Sequence, residues 1–348
     1  MPQLRQDVVT GRWVAIATER AKRPSSFTRA AAVAVPAGAQ CPFCVGNEAM
    51  TPPEVLAYRP DGSQPNTPGW EVRVVPNLFP AFGPPDGELT PGTNGPYSTM
   101  NGVGAHEVIV NSRSHENDLA QMTVDEIAKV IRAWIDRYQT HSANRSIQYV
   151  LIINNHGKEA GASLEHPHTQ LFGVPVIPLA IQEDLDGTRR YEEQHGRCVY
   201  CDIIAYECRS GDRVVYENEH FLVFAPFASR TPFETQIIPK RHEVNFADMT
   251  AAEQVAFADA LHQLTGRIGN GLNNPPFNFY IHSAPCHLPK GATYHWHVEL
   301  LPKLAIAAGF ELGSGIMINV ATPEAAAEFL RGVDVHQPPE STVAPALH

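Results

Sequence analysis

The chain is 348 residues long, 43% of them hydrophobic, with a formal net charge of −11 at pH 7, which leaves room for a sizeable core in two units of ordinary size. The acidic balance argues against the basic face that general phosphate-backbone binding needs, so no nucleic-acid partner is expected and any phosphate site must be local. No apolar run approaches the length of a membrane span and residues 1–7 hold no apolar signal core, so a cytoplasmic protein without membrane contact is expected.

Taken along the chain, the first landmark is Cys41-Pro42-Phe43-Cys44. Residues 81–104, crowded with Gly and Pro, read as a long loop. A strand-like run, Val108-Ile109-Val110, then leads into Arg113-Ser114-His115. Thr123, with Glu126 three residues on, reads as a capping box. The helix it starts spans about 124–141, with Val124, Ile127, Val130, Ile131 and Trp134 at three- and four-residue spacing. A second strand, Tyr149 to Ile153, runs into Asn155, and His166-Pro167-His168 closes the set.

The same order then recurs. Cys198-Val199-Tyr200-Cys201 is followed by the strand Gln236-Ile237-Ile238, the triplet Lys240-Arg241-His242, and a capping box of Thr250 and Glu253 before a helix over about 251–268. The strand Phe277 to Ile281 runs into His282, and His295-Trp296-His297 closes this half. Asn155 and His282 each stand 40 residues beyond His115 and His242, and the two His-x-His motifs begin 51 and 53 residues beyond them. Landmarks kept in order twice indicate an internal duplication. The halves are expected to span 1–180 and 181–332, with a last helix at about 323–331 starting on Thr322 and Pro323 and a disordered tail over 333–348.

Two Cys-x-x-Cys pairs without a secretion signal point to metal rather than disulfide. A Cys-x-x-Cys turn supplies two thiolates, and two distant histidines complete the tetrahedron that zinc favours in closed structural sites. The duplication assigns Cys41, Cys44, His115 and His166 to one site and Cys198, Cys201, His242 and His295 to the other, where His282, His287 and His297 compete for the histidine roles. Four protein ligands leave no open position, so both zincs are expected to be structural. Cys208 and Cys286 have no partner in the repeat.

In His166-Pro167-His168, alternation along a strand turns both histidines to one face. With His166 tied to metal, His168 is left as an imidazole held for attack on phosphorus, since a neutral histidine forms a phosphoramidate reactive enough to pass the group on. Charge developing on the phosphate oxygens needs donors; Gln170 on the same face, the Ser163 hydroxyl and the backbone N–H groups of Gly161 and Ala162 are the candidates. In the second copy Glu299 replaces Gln170, and a carboxylate would repel phosphate, so only the first copy is expected to be catalytic.

Asn155-His156-Gly157 through Gly161-Ala162-Ser163, His166-Pro167-His168 and Gln170 resemble the active-site motif of the galactose-1-phosphate uridylyltransferase family, a duplicated branch of the histidine triad superfamily. The likeness extends to Arg20 to Pro24, Cys41 and Cys44, Asn77 with Phe79-Pro80-Ala81, His115 and Gly309-Phe310-Glu311, about residues 5–332 in all. It implies an α+β fold in which two histidine-triad-like halves share an antiparallel half-barrel sheet flanked by helices. It implies a ping-pong enzyme in which His168 takes a nucleoside monophosphate from a nucleotide sugar, releases sugar 1-phosphate, and hands the group to a second phosphorylated acceptor. Arg20 and Arg23 would bind phosphate, Asn77 the ribose, Asn155, Ser163, Gln170 and the Gly161 backbone the phosphates, and Glu311 the sugar. Homodimers whose subunits complete each other's sites are implied as well.

The sequence departs from the commoner family pattern at Glu165, Leu78 and Met317, positions that the resemblance implies lie at base and sugar contacts. Gly309 to Gly315 and the cysteine-containing second site look more like the ADP-glucose phosphorylase branch, which transfers AMP to inorganic phosphate. UDP-glucose or UDP-galactose with a hexose 1-phosphate is the first expectation; ADP-glucose with phosphate is the alternative. Hydrolysis of a dinucleotide or nucleoside phosphoramidate is a second enzyme reading, and a zinc-stabilised nucleotide-binding module without turnover a reading from another class.

Overall fold

The computed structural model describes residues 2–22, 41–288 and 292–336; Arg23 and the tail beyond residue 336 lie outside the described residues. In chain order the strands and helices are β1 (Gln3–Gln6), β2 (Trp13–Ile16), β3 (Leu56–Tyr58), β4 (Val72–Pro76), β5 (Pro91–Asn94), β6 (Tyr97–Met100), β7 (Ala105–Val110), α1 (Val124–Ser142), β8 (Tyr149–His156), β9 (His168–Val174), α2 (Leu179–His195) and α3 (Val199–Ser210). They continue with β10 (Val214–Glu217), β11 (Phe221–Phe224), β12 (Thr235–Pro239), α4 (Ala251–Gly271), β13 (Phe277–His282), β14 (His297–Pro302), α5 (Gly309–Ser314), β15 (Met317–Asn319) and α6 (Pro323–Arg331).

Ten strands form one antiparallel sheet in the order β10-β11-β12-β14-β13-β8-β9-β7-β4-β3. Read outward from the seam between β13 and β8, the two sides follow the same connection order, so the duplication in the sequence is a duplication in space. Alternation sorts the side chains: Ile109, Val150, Ile152, Leu171, Phe279, Ile281, Val298 and Leu300 enter one large core with Trp134, Ile131, Leu261 and Leu264 of α1 and α4. The residues between them, among them His106, Asn155, His168, Gln170, Asn278 and His297, occupy the opposite face. One face makes the core and the other carries the chemistry.

Both capping boxes form as expected, with Thr123 and Glu126 starting α1 and Thr250 and Glu253 starting α4. Glu253 also pairs with Arg241, 2.7 Å away, and this hydrogen bond is the main reason its carboxyl falls to about 2. A depressed carboxyl contributes stability that is full above its unfolded pKa and is lost as pH drops toward the folded value. Glu253→Gln should therefore cost about 1–2 kcal/mol at pH 7, read from urea midpoints, with the gap to the parent shrinking as pH is lowered below about 4.5.

The structure differs from the sequence reading at several places. Residues 81–104 contain the exposed hairpin β5–β6, turning at Gly95 and Pro96, where Gly95 takes φ +58°; its strands are exposed throughout and so lack the alternation of a half-buried strand. Cys198 and Cys201 do not lie on a free turn: Cys198 is the N-cap of α3 and Cys201 sits in its first turn. The first residues of the chain, counted with the first half, pack on the second: β2 runs parallel to β15, Arg5 pairs with Glu324, and Val9 joins Cys198, Val199 and Tyr200. The boundary expected at 180/181 falls in the first turn of α2. Residues 333–336, expected in the tail, are fixed on α4: Arg267 donates to the carbonyls of Leu330, Arg331 and Val333, and Asn270 to those of Asp334 and Val335.

Candidate active site

His168 opens β9 and is paired across the sheet with Val110. His166 and Pro167 precede the strand, and Asn111 N–H donates to the Pro167 carbonyl, which fixes the entry. The Nδ1 of His168 lies 2.8 Å from the carbonyl of His166. A carbonyl only accepts, so Nδ1 carries the proton and Nε2 the lone pair. Nε2 makes no hydrogen bond to any described residue. Burial lowers the pKa of His168, so near pH 7 the ring is neutral and nucleophilic at Nε2.

His166 is oriented in the opposite sense. Its Nε2–H donates to the Ser112 carbonyl at 2.8 Å, which turns the Nδ1 lone pair toward Cys44, 3.6 Å away, while His115 Nδ1 lies 3.3 Å from the same sulfur. The ligand atoms of Cys41, Cys44, His115 and His166 all lie within 4.8 Å of one another. The second copy repeats this arrangement: His295 Nε2–H donates to the Pro239 carbonyl at 2.8 Å, its Nδ1 is 3.8 Å from Cys201, and His242 Nδ1 is 3.4 Å from it. Cys198, Cys201, His242 and His295 form the equivalent group. Burial holds His166 down at about 4 and His295 at about 3, and pushes Cys201 up to about 12. Two imidazoles facing paired sulfurs fit the donor set of a tetrahedral zinc site, and the carbonyl-bound N–H of His166 and of His295 is the outer support such ligands need.

Of the three histidines expected to compete with this set, His297 and His282 join Asp184 in a separate buried group, and His287 belongs to neither group. His297 repeats the His168 bond, Nδ1 to the His295 carbonyl at 3.1 Å, but Glu299 lies 3.7 Å from its Nε2. Burial would raise the Glu299 carboxyl, yet the Arg230 guanidinium beside it keeps it far below the usual range. The second-copy imidazole thus faces a fixed anion, whereas among the described residues no carboxylate is paired with His168, and Tyr200, Tyr294 and His282 surround His297.

The donors around His168 fall into place by the same logic of forced hydrogens. Ala81 N–H donates to His106 Nδ1 at 3.1 Å, so Nε2 carries the His106 proton and donates to Gln170 Oε1 at 2.8 Å. Gln170 then has its Nε2 hydrogens to offer. His106 is stacked on Phe172 at 4.0 Å. Asn77 accepts from the Phe79 N–H through its own Oδ1 at 2.9 Å, the turn-forming bond of an Asn before a loop; its Nδ2 lies 3.0 Å from His106 Nε2, a contact without a hydrogen bond, since that nitrogen carries the ring proton. Asn155 accepts from Asn278 of β13 at 2.7 Å. Ser163 is exposed on the loop after the 3₁₀ turn Lys158–Ala160.

Three expected contacts are placed differently. The N–H groups of Gly161 and Ala162, expected as phosphate donors, are spent within the turn on the carbonyls of Lys158 and Gly157. Gly161 is needed there because its φ is +93°. Glu311 lies on α5, caps the Ala308 N–H at 3.0 Å, and lines a cleft with Arg230, Pro302, Lys303 and Met317; none of the residues around His168 shares that cleft. Arg20 is exposed on the 3₁₀ turn Thr18–Lys22. His106, Asn278 and Asp184 were not found from sequence; for His106 the parity along β7, shared with Val108 and Val110, was the available signal.

The family model described as Galactose-1-phosphate uridyl transferase, N-terminal domain, matches residues 1–178, and one described as a domain of unknown function (DUF4921) matches 97–333. The chain is 35% identical to an ADP-glucose phosphorylase of Arabidopsis thaliana, over 96% of this chain and 93% of that one. It is 29% identical to a galactose-1-phosphate uridylyltransferase of Thermotoga maritima, over 96% and 99%. Its structure resembles that of an Arabidopsis thaliana ADP-glucose phosphorylase with bound ADP-glucose, with a TM-score of 0.81, 34% identity, and coverage of 96% of this chain and 100% of that one.

Proposed function

This chain belongs to the galactose-1-phosphate uridylyltransferase family and is a nucleotidyltransferase acting on sugar phosphates, and from that premise we propose that His168 is its covalent nucleophile and ADP-glucose its donor. The observation that carries the reading is the imidazole itself, neutral, with Nδ1–H bound to a carbonyl and the lone pair on Nε2. Nε2 attacks the phosphorus of the nucleoside monophosphate, a P–N bond forms, and the P–O bond to the sugar 1-phosphate breaks. A phosphate oxygen of the acceptor then attacks the same phosphorus and the P–N bond breaks, returning the ring unchanged. The Gln170 and Asn155 amides and the Ser163 hydroxyl meet the charge on the phosphate oxygens.

The adenylyl reading, with inorganic phosphate as acceptor, is supported by the greater likeness to the ADP-glucose phosphorylase and by the Cys-containing second metal group. Uridylyl transfer to a hexose 1-phosphate is the second reading, favoured by the family model over residues 1–178. Product analysis separates them: ADP-glucose and phosphate should give ADP and glucose 1-phosphate. Turnover of UDP-glucose with galactose 1-phosphate and none of ADP-glucose would reverse the order.

Zinc in both Cys₂His₂ groups is part of the proposal. When bound, it neutralises the thiolates and ties the Cys41–Cys44 turn and the start of α3 to the sheet. The homodimer belongs here too, supported by Ile306, Phe310 and Leu312, exposed around Glu311, which would bring Glu311 and Arg20 to a neighbour's sugar and phosphate.

His106→Phe keeps a ring to stack on Phe172 and removes the proton given to Gln170. The rate of nucleotidyl transfer should fall about tenfold, with the thermal midpoint little changed; an unaltered rate would show that Gln170 needs no such support.

A further inference from the structure

Asn155 and Asn278 are cross-strand partners at the seam where β8 of the first half meets β13 of the second. Phe277, Phe279 and Ile281 enter the helix-side core, so Asn278 stands on the face that carries His168. Chemistry fixes which way the two amides point. The Ala160 carbonyl can only accept, so the Asn278 atom 2.8 Å from it is Nδ2. The same nitrogen lies 2.7 Å from Asn155, which must therefore present its oxygen. Both Asn278 hydrogens are thus spent, one on each acceptor. The Asn155 Nδ2 is turned the other way, toward Gly161, where it is the nearest atom, at 3.8 Å, to the position a β-carbon would take.

We propose that Asn278 is a positioning residue for nucleotidyl transfer: it holds the Asn155 amide with its N–H groups toward the phosphate and pins the Lys158–Ala160 turn beside it. The second half, whose own histidine is blocked by Glu299, thereby completes the site of the first half. Without this bond the Asn155 amide is a two-fold rotor, and its flipped state aims an oxygen lone pair at a phosphate oxygen. A carboxylate at 278 is worse than nothing, because it accepts only: Asn155 must turn its Nδ2 to meet it and so presents Oδ1 to the phosphate.

The inference rests on the nucleotidyltransferase reading of His168, and its test keeps the two apart. Formation of the His168 adduct from ADP-glucose, and from UDP-glucose, is followed in a single turnover for the parent, Asn278→Ala, Asn278→Asp, Asn155→Ala and the double Ala variant, with a thermal midpoint for each. Asn278→Ala should slow adduct formation about tenfold and Asn278→Asp about a hundredfold. Against Asn155→Ala, itself about a hundredfold slow, the second change should add nothing, because a positioning group has nothing left to position. Rates within twofold of the parent for both Asn278 variants, or losses that multiply in the double variant, would overturn the inference while leaving the nucleophile in place. A parent that forms no adduct with either nucleotide sugar would remove the functional reading first, and the role of Asn278 with it.

Discussion

Asn in place of His168 should lower nucleotidyl transfer by about 10⁴-fold or more, the scale expected when a covalent nucleophile is removed. The reason lies in what the amide can and cannot copy. Asn keeps a donor near the His166 carbonyl, so the fold around β9 should survive, but the nitrogen lone pair of an amide is delocalised into its carbonyl and does not attack phosphorus as an imidazole does. The second copy offers no rescue, since His297 is walled in by Glu299, Tyr200 and Tyr294. Steady-state rates together with an unchanged thermal midpoint make the check. A variant that keeps a tenth of the parent activity would place the chemistry on another group. His297→Asn, made alongside, should leave the rate within a few-fold.

Cys44→Ala should have the largest effect on stability. Cys44 is the sulfur that both histidines of the first group approach, His115 at 3.3 Å and His166 at 3.6 Å. Its loss would remove one of the four proposed ligands and with it most of the affinity for zinc. A structural zinc is worth roughly 10–16 kcal/mol in a peptide that has no other core; here the ten-stranded sheet and its helices persist, so about 5 kcal/mol is expected. Zinc content should fall from about two per chain to about one, and the urea midpoint should drop with it. The catalytic rate should fall too, because His166 carries the carbonyl that orients His168. Full zinc content in the variant would show that the metal is held elsewhere.

The sequence made the repeat legible because each half had to bring two cysteines and two histidines to one point, and such chemistry tolerates little drift. Thr123 with Glu126, Thr250 with Glu253, and Thr322 with Pro323 marked three helix starts, because caps are local and leave local signatures. α2 left no such mark: its N-cap is Pro178, with no side-chain bond. The hairpin β5–β6 is exposed on every residue, so no burial pattern announced it. His106 and Asn278 were hidden for a different reason. Each acts by holding another side chain from 64 or 123 positions away, and only strand register places them. The N–H groups of Gly161 and Ala162 are a local case: their bonds to Lys158 and Gly157 close a turn that residue spacing alone does not fix.

The central claim, a covalent nucleotidyl-histidine at position 168, is tested most directly by the intact mass of the protein after mixing with nucleotide sugar in the absence of acceptor. The parent chain should gain the mass of one AMP from ADP-glucose, or one UMP from UDP-glucose. The gain should be lost when phosphate or a sugar 1-phosphate is added, and it should not arise in His168→Asn. An unmodified parent with both nucleotide sugars, while product still forms on adding acceptor, would contradict the covalent mechanism.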